Sequence, residues 1–396
     1  MDLKERIKHL AKNYFSETVE IRRHLHAHPE LSFQENNTSD FIAAQLTKIG
    51  IPFKRGIAGT GIVALLEGKN SQKKTIALRA DMDALPIVEE NKTTYVSQNK
   101  GVMHACGHDV HTASLLGVAK ILTELKNDFE GSIKLIFQPG EEKLPGGASM
   151  MIAEGVLQNP QPTCIFAQHV FPSMETGKVG FKKGMYMAST DEIYLTVKGK
   201  GGHAAMPKEY NNPLLIASRI LIALEAEFKN EKNNFPTVLA FGKIIGNGAT
   251  NVIPAEVKIE GTFRTMDEKW RSEVHEKIKF IVQKIAKDSG GACDATIVKG
   301  YPFLVNDETV TGKAQHWAEI FLGKENVEEL PMRMTAEDFA FYSQQIPACF
   351  YRLGTGNKVK NIVSGVHTPT FEIDEKALEI GVGLMTWIAL NELAER

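Results

Sequence analysis

Four short apolar runs bounded by turn residues set the frame for this chain: Ile62–Leu66 (IVALL), Thr75–Leu78 (TIAL), Ile133–Phe137 (IKLIF) and Cys164–Ala167 (CIFA). Runs of this length and texture predict buried strands. Between them lie segments of helical periodicity, at Thr112–Leu125 and through GGASMMIAEG. Strands alternating with helices predict an α/β fold, a mostly parallel sheet flanked by helices. The first fifty residues read as helix, through Ile7, Leu10, Ala11, Tyr14 and Phe15, then Phe41, Ile42, Ala44, Leu46 and Ile49, where Gly50 and Pro52 close the run.

The texture changes after about residue 182. Ile193–Val197 alternates and leads into a Gly-rich turn, GKGGHAAMP. A helical pattern follows over Pro213–Phe228, then alternating segments at Thr237–Ile244 and Ala255–Phe263, an amphipathic stretch at Trp270–Ala286 and a strand near Ala295–Val298. That order, β-α-β-β-α-β, predicts a ferredoxin-like unit. Beyond residue 300 the first texture returns, with helices at Thr309–Leu322 and Ala377–Leu393 and a strand at Phe350–Leu353. The expected organisation is a discontinuous catalytic domain, 1–182 and 299–396, interrupted by an inserted lid and dimerisation domain at 183–298.

Composition narrows the class. With 46 basic against 48 acidic residues in 396, bulk charge gives no pull towards nucleic acid or an anionic membrane. No run approaches 18 uninterrupted apolar residues, so no membrane span is expected. The charged, amphipathic start has no secretory pattern. Four cysteines are too few for a disulfide scaffold. The expectation is a cytoplasmic protein with reduced thiols.

Ligand-type side chains fall at the predicted strand ends. MHACGHDVH presents Cys106 and His108; IKLIF runs into QPGEE and thus Glu141 and Glu142; CIFAQ leads to His169; VSGVHTP offers His367. In an open α/β sheet, ligands collect at the carboxyl ends of strands. Five donors, Cys106, His108, Glu142, His169 and His367, exceed what one tetrahedral ion with an open position needs. They suit two divalent ions per subunit with the thiolate bridging and a water shared between them. Zn, Mn, Co or Ni all accept such donors. Glu141 is then free to act as general base. Taken singly, a Cys is more often an inert buried thiol and a Glu pair a solvated loop; the weight lies in convergence. His24, His26 and His28 of RRHLHAHPE are expected to pack or hydrogen-bond at a helix C-terminus rather than ligate. His9, His275 and His316 read as surface or satisfied histidines.

RADMDALP (79–86), HACGHDVH (104–111), QPGEE (138–142), GKGGHAAMP (199–207) and TAEDFAFY (335–342) together resemble the M20 metallopeptidase family, in its aminoacylase-like amidohydrolase branch. The resemblance runs from about Ile21 to the C-terminus. It implies a catalytic α/β domain with a lid that makes a homodimer. It implies a bridging Cys106, ligands His108, Glu142, His169 and His367, and Glu141 as base. It further implies that His203 stabilises the oxyanion from the partner subunit, and that Asn251 and Arg264 contact the substrate's carboxylate and carbonyl. Asp83 is expected to orient a ligand. Gly140 stands where Ala is common and is expected to loosen the loop that aims Glu141. The implied reaction is hydrolysis of an N-acyl amino acid to a carboxylate and a free amino acid. The alternatives are a dinuclear exopeptidase acting on short peptides with the same site, and a non-enzymatic dimeric scaffold.

Overall fold

The four apolar runs fall at the strands Gly61–Glu67, Thr75–Asp81, Ser132–Gln138 and Ile165–Glu175, with Cys164 of the last run just before its strand. Every residue of the second and third is buried, which is why they read as runs rather than as alternations. The structure is a computed structural model and describes residues 1–229 and 235–395. Two compact units emerge. The first comprises Met1–Tyr186, Val305–Pro331 and Asp338–Arg396; the second comprises Met187–Leu304 and the short stretch Met332–Glu337, which the sequence pattern places with the second catalytic segment.

The first unit is built on an eight-stranded sheet in the order Phe53–Ile57, Gly61–Glu67, Ser132–Gln138, Thr75–Asp81, Ile165–Glu175, Ala348–Gly356, Val179–Phe181, Val327–Glu329. The central neighbours run parallel: Thr75–Asp81 with Ser132–Gln138 and with Ile165–Glu175, and Ile165–Glu175 with Ala348–Gly356. The outer strands Phe53–Ile57 and Gly61–Glu67 are antiparallel. Leu115, Leu116, Ile121 and Leu122 from one helix and Leu384, Met385 and Ile388 from another share a core with Ile76, Leu78, Leu135, Phe137 and Phe166 of the sheet. The second of these helices, Lys376–Ala394, is long and apolar enough to cross a membrane, but 72% of that stretch is buried within the protein.

The helix predicted from Thr112 begins earlier, at His108. The strand predicted to end at His169 continues to Glu175, because pairing with Ala348–Gly356 carries on past that residue. His169 therefore projects from within a strand, not from its tip.

The second unit holds a four-stranded antiparallel sheet in the order Thr237–Ile245, Glu256–Thr265, Asp191–Lys198, Ala292–Lys299. The helices Pro213–Lys229 and Glu268–Asp288 interrupt the strands in chain order. Alternate residues of Asp191–Lys198 are buried. Ile193, Leu195 and Val197 pack with Ile216, Ile220 and Leu224 of the first helix and Val274, Ile278 and Val282 of the second. One sheet face is thus covered, as antiparallel alternation requires.

An ion pair anchors this unit. Arg271 is fully buried and donates through Nε to Asp191 Oδ2 at 2.9 Å and through Nη2 to Asp191 Oδ1. His275 Nε2 lies 2.6 Å from Asp191 Oδ2. Burial penalises the Asp191 charge, yet Arg271 and His275 outweigh it and hold the carboxyl at about 2 against an ordinary 3.8. A depressed carboxyl contributes stability above its unfolded value that is lost as pH falls through the folded one. Arg271→Met is expected to cost about 3–5 kcal/mol, since a buried carboxylate is left without its partner. Urea unfolding of the variant measures this; a loss below about 1 kcal/mol would equate the pair with a surface one.

Candidate metal centre

Asp81 closes the strand Thr75–Asp81, and Glu141 and Glu142 follow Ser132–Gln138. Cys106 precedes the helix His108–Glu124, and His367 lies in the loop before the last helix. The side chains converge. The ligand atoms of Cys106, His108 and His169 lie within 4.8 Å of one another, as do those of Cys106, Glu142 and His367, and those of His108, Glu141 and Glu142. The first two triplets share the Cys106 thiol.

Each donor is aimed from behind. His108 Nδ1 donates to Asp83 Oδ1 at 3.1 Å, which turns Nε2 inward. His169 Nδ1 donates to the Val170 carbonyl at 2.8 Å, leaving Nε2 3.5 Å from Cys106 Sγ. Such bonds at the outer nitrogen fix the tautomer that a metal needs. His367 Nε2 lies 3.0 Å from Glu142 Oε1, and its backbone N–H donates to the Ala105 carbonyl at 2.8 Å. That bond ties the C-terminal loop to the residue before Cys106. His367 adopts φ 62°, an unusual conformation for a non-glycine residue. Gly107 is required between Cys106 and His108: its φ is 82°, and a Cβ there would lie 2.6 Å from the Val170 side chain.

The electrostatics fit a cation. His108 Nε2 is buried with no hydrogen-bond partner, although Asp81 Oδ2 lies 3.7 Å away and carboxylate oxygens of Glu141 and Glu142 lie at 4.0 Å. Burial first, then the charges of Glu142, Glu141 and Asp81, push the Cys106 thiol well above its ordinary range. His108 is raised to about 10, as the carboxylates overcome the penalty of burial. Burial, reinforced by Arg352, drives His169 well down. A thiol, three imidazoles and two glutamates with this surplus of negative charge form a donor set suited to borderline divalent ions.

The loop carrying the glutamates is held tightly. Glu35, fully buried, accepts from the Gly140 N–H at 2.9 Å and from Thr60 Oγ1 at 2.7 Å. Asp83 Oδ2 accepts from the Glu142 N–H at 3.0 Å and from Ser32 Oγ at 2.6 Å. Gly140 does not loosen the loop as expected from sequence. Its φ is 58°, and a Cβ would lie 2.4 Å from the Phe33 ring, so the glycine is packed against an aromatic side chain.

His203, Asn251 and Arg264 belong to the second unit. His203 is exposed and pairs with Val252, and the Ala204 N–H donates to the Asn251 carbonyl at 3.0 Å, so the segments carrying His203 and Asn251 lie side by side. Arg264 is half-buried, with Nη1 lacking a hydrogen-bond partner. Of the N-terminal histidines, His26 is fully buried between Asp109 Oδ2 at 2.8 Å and Glu89 Oε1 at 3.1 Å. His24 stacks on Phe41, and His28 Nδ1 donates to the His24 carbonyl. Sequence reasoning missed Glu35, Arg79, Asp81 and His111 as supports. Arg79, Asp81 and His111 lay inside quoted motifs, but nothing in their spacing names their partners.

Residues 77–391 match peptidase family M20/M25/M40. The chain is 38% identical over 361 residues to the N-acetyl-L-cysteine deacetylase of Bacillus subtilis, covering 91% of this chain and 84% of that protein. It is 36% identical over 385 residues to thermostable carboxypeptidase 2 of Saccharolobus solfataricus, covering 96% of each. Among solved structures, the Bacillus subtilis YXEP protein, a dinuclear metal binding peptidase from the M20 family, superposes with a TM-score of 0.84 at 32% identity, over 97% of this chain and 99% of that one. With its matching motifs and converged donors, the chain belongs to peptidase family M20/M25/M40.

Proposed function

We propose that this protein is a metal-dependent amidohydrolase that cleaves the amide bond of N-acyl amino acids, releasing a carboxylate and a free amino acid. The observation that carries the reading is the shared thiol: Cys106 belongs both to the triplet with His108 and His169 and to the triplet with Glu142 and His367. Two divalent cations on these triplets would supply Lewis acidity and lower the pKa of the attacking water towards 7. Zn, Mn, Co and Ni all suit the donors.

Glu141 works beside the ligands. Its carboxylate takes the proton of the attacking water, and the same carboxyl returns a proton to the leaving nitrogen, so one group serves as base and then as acid. His203 donates to the carbonyl oxygen as negative charge develops there, a contribution typically worth about 3–4 kcal/mol. Arg264 and Asn251 hold the substrate's carboxylate and carbonyl. A guanidinium with a free, buried N–H is suited to a carboxylate.

In this reading residues 1–182 and 299–396 form the catalytic domain, and 183–298 form a ferredoxin-like lid. The strand and helix order of the second unit supports that assignment. Two copies pair through the lid, and His203 of the partner subunit completes each site. The cytoplasm is the compartment in which the four unpaired cysteines stay reduced. The likeness to a carboxypeptidase favours a second reading, cleavage of short peptides. Both substrate classes present an amide whose amine side carries a free carboxylate.

A panel of N-acetyl, N-benzoyl and dipeptide substrates separates the two readings. Preference for N-acyl amino acids is expected, and turnover of dipeptides alone would establish the exopeptidase. Glu141→Gln is expected to keep both metals and lose at least about 10²-fold in kcat; wild-type turnover would remove Glu141 as the base. Cys106→Ala is expected to lose bound metal because both triplets lose a donor. An unchanged metal-to-protein ratio by elemental analysis would exclude the thiol as a ligand.

A further inference from the structure

Glu141 has two carboxylate oxygens in different settings. Oε1 accepts from the Asp338 backbone N–H at 3.3 Å. Oε2 lies 4.0 Å from His108 Nε2, towards the ligand cluster. Asp338 lies in the TAEDFAFY segment, to which the reaction above gives no role.

The Asp338 side chain is fully buried and held by three donor groups. Oδ1 accepts from Arg79 Nη2 and Gln138 Nε2, each at 2.8 Å. Oδ2 accepts from Gln138 Nε2 at 2.8 Å and from the Ala148 N–H at 2.9 Å. Gln138 ends the strand before the glutamates, and Ala148 lies in the first turn of the helix after them. The loop 139–147 therefore starts and finishes on one carboxylate. Arg79 extends the network: it donates through Nε to Gln138 Oε1 at 2.9 Å and through Nη1 to Asp81 Oδ2 at 2.5 Å. Asp81 Oδ1 accepts from His111 Nδ1 at 2.5 Å, and His111 Nε2 accepts from the Val170 N–H at 2.9 Å. A continuous buried chain thus joins the Glu141 carboxylate to the backbone beside His169.

We propose that Asp338 is a positioning residue for Glu141: by pinning both ends of the loop 139–147 and donating its own N–H to Oε1, it fixes Oε2 as the oxygen that exchanges the proton. The proposal rests on Glu141 being the base. A carboxylate that only neutralised Arg79 would support the fold without acting through Glu141, and a double-mutant cycle tells the two apart.

The test uses Asp338→Asn and Gln138→Met, each alone and combined with Glu141→Gln, loaded with zinc and assayed on the best substrate of the panel. Asp338→Asn is expected to hold the wild-type amount of zinc, to keep KM nearly unchanged and to lose about 10–10²-fold in kcat, the cost of a misplaced catalytic group. In the Glu141→Gln background it should cause no further loss. Amide hydrogen exchange of the metal-free proteins supplies a readout independent of turnover: faster exchange is expected in 139–148, with the rest of the chain unchanged. The proposal is overturned if Asp338→Asn slows the Glu141→Gln enzyme by the factor it slows wild type, or leaves kcat or the exchange of 139–148 unaltered. Should Asp338→Asn lose its fold or its zinc, Gln138→Met, which keeps the Arg79–Asp338 pair, decides by the same criteria. A Glu141→Gln enzyme as fast as wild type would overturn the base assignment and this proposal together. An inactive one beside an unimpaired Asp338→Asn overturns only the positioning role.

Discussion

Burying a carboxylate costs several kcal/mol unless cations or hydrogen-bond donors meet it, and the centre of this protein is built from buried carboxylates. Asp81, Asp83, Glu141 and Asp338 are all at most 6% exposed. Arg79 answers two of them, Asp81 and Asp338. Asp83 is met by Ser32, His108 and the Glu142 N–H. Glu141 and Glu142 face a thiol and imidazoles, where bound divalent cations would supply the missing positive charge. The acids are both the binding groups and the framework that holds them, so the position of each depends on the others being satisfied.

That framework reaches the N-terminal helices. Arg22 is fully buried, donating through Nε to Asp109 Oδ2 at 2.8 Å and through Nη2 to Glu372 Oε1 at 3.1 Å. Asp109 follows His108 in the chain, and Glu372 lies five residues past His367. Burial and the neighbouring Arg22 oppose a charge on His26, yet Asp109 and Glu89 raise its pKa overall. Through Arg22 and His26, the RRHLHAHPE segment braces the segments that carry His108 and His367.

The strands of the first unit were legible because their burial is nearly total, and the second unit because its strands alternate. The sequence pattern also singled out Cys106, His108, Glu142, His169 and His367, whose ligand-type atoms fall in clusters, because segments at the ends of neighbouring parallel strands lie close together. What could not be read was pairing across the chain. Arg79 and Asp338 are separated by 259 positions, and no periodicity links them. The place of His169 within its strand depended on a partner strand 183 positions later. Gly140 was misread for the same reason: a glycine suggests freedom until its neighbour, 107 positions earlier, is known.

That neighbour sets what the loop can carry at position 140. With the Phe33 ring 2.4 Å from where a methyl at position 140 would sit, and with the backbone there at φ 58°, an alanine at 140 would be strained in its backbone and would require the ring to move. Gly140→Ala would therefore displace the aromatic ring that packs on the segment carrying the two glutamates.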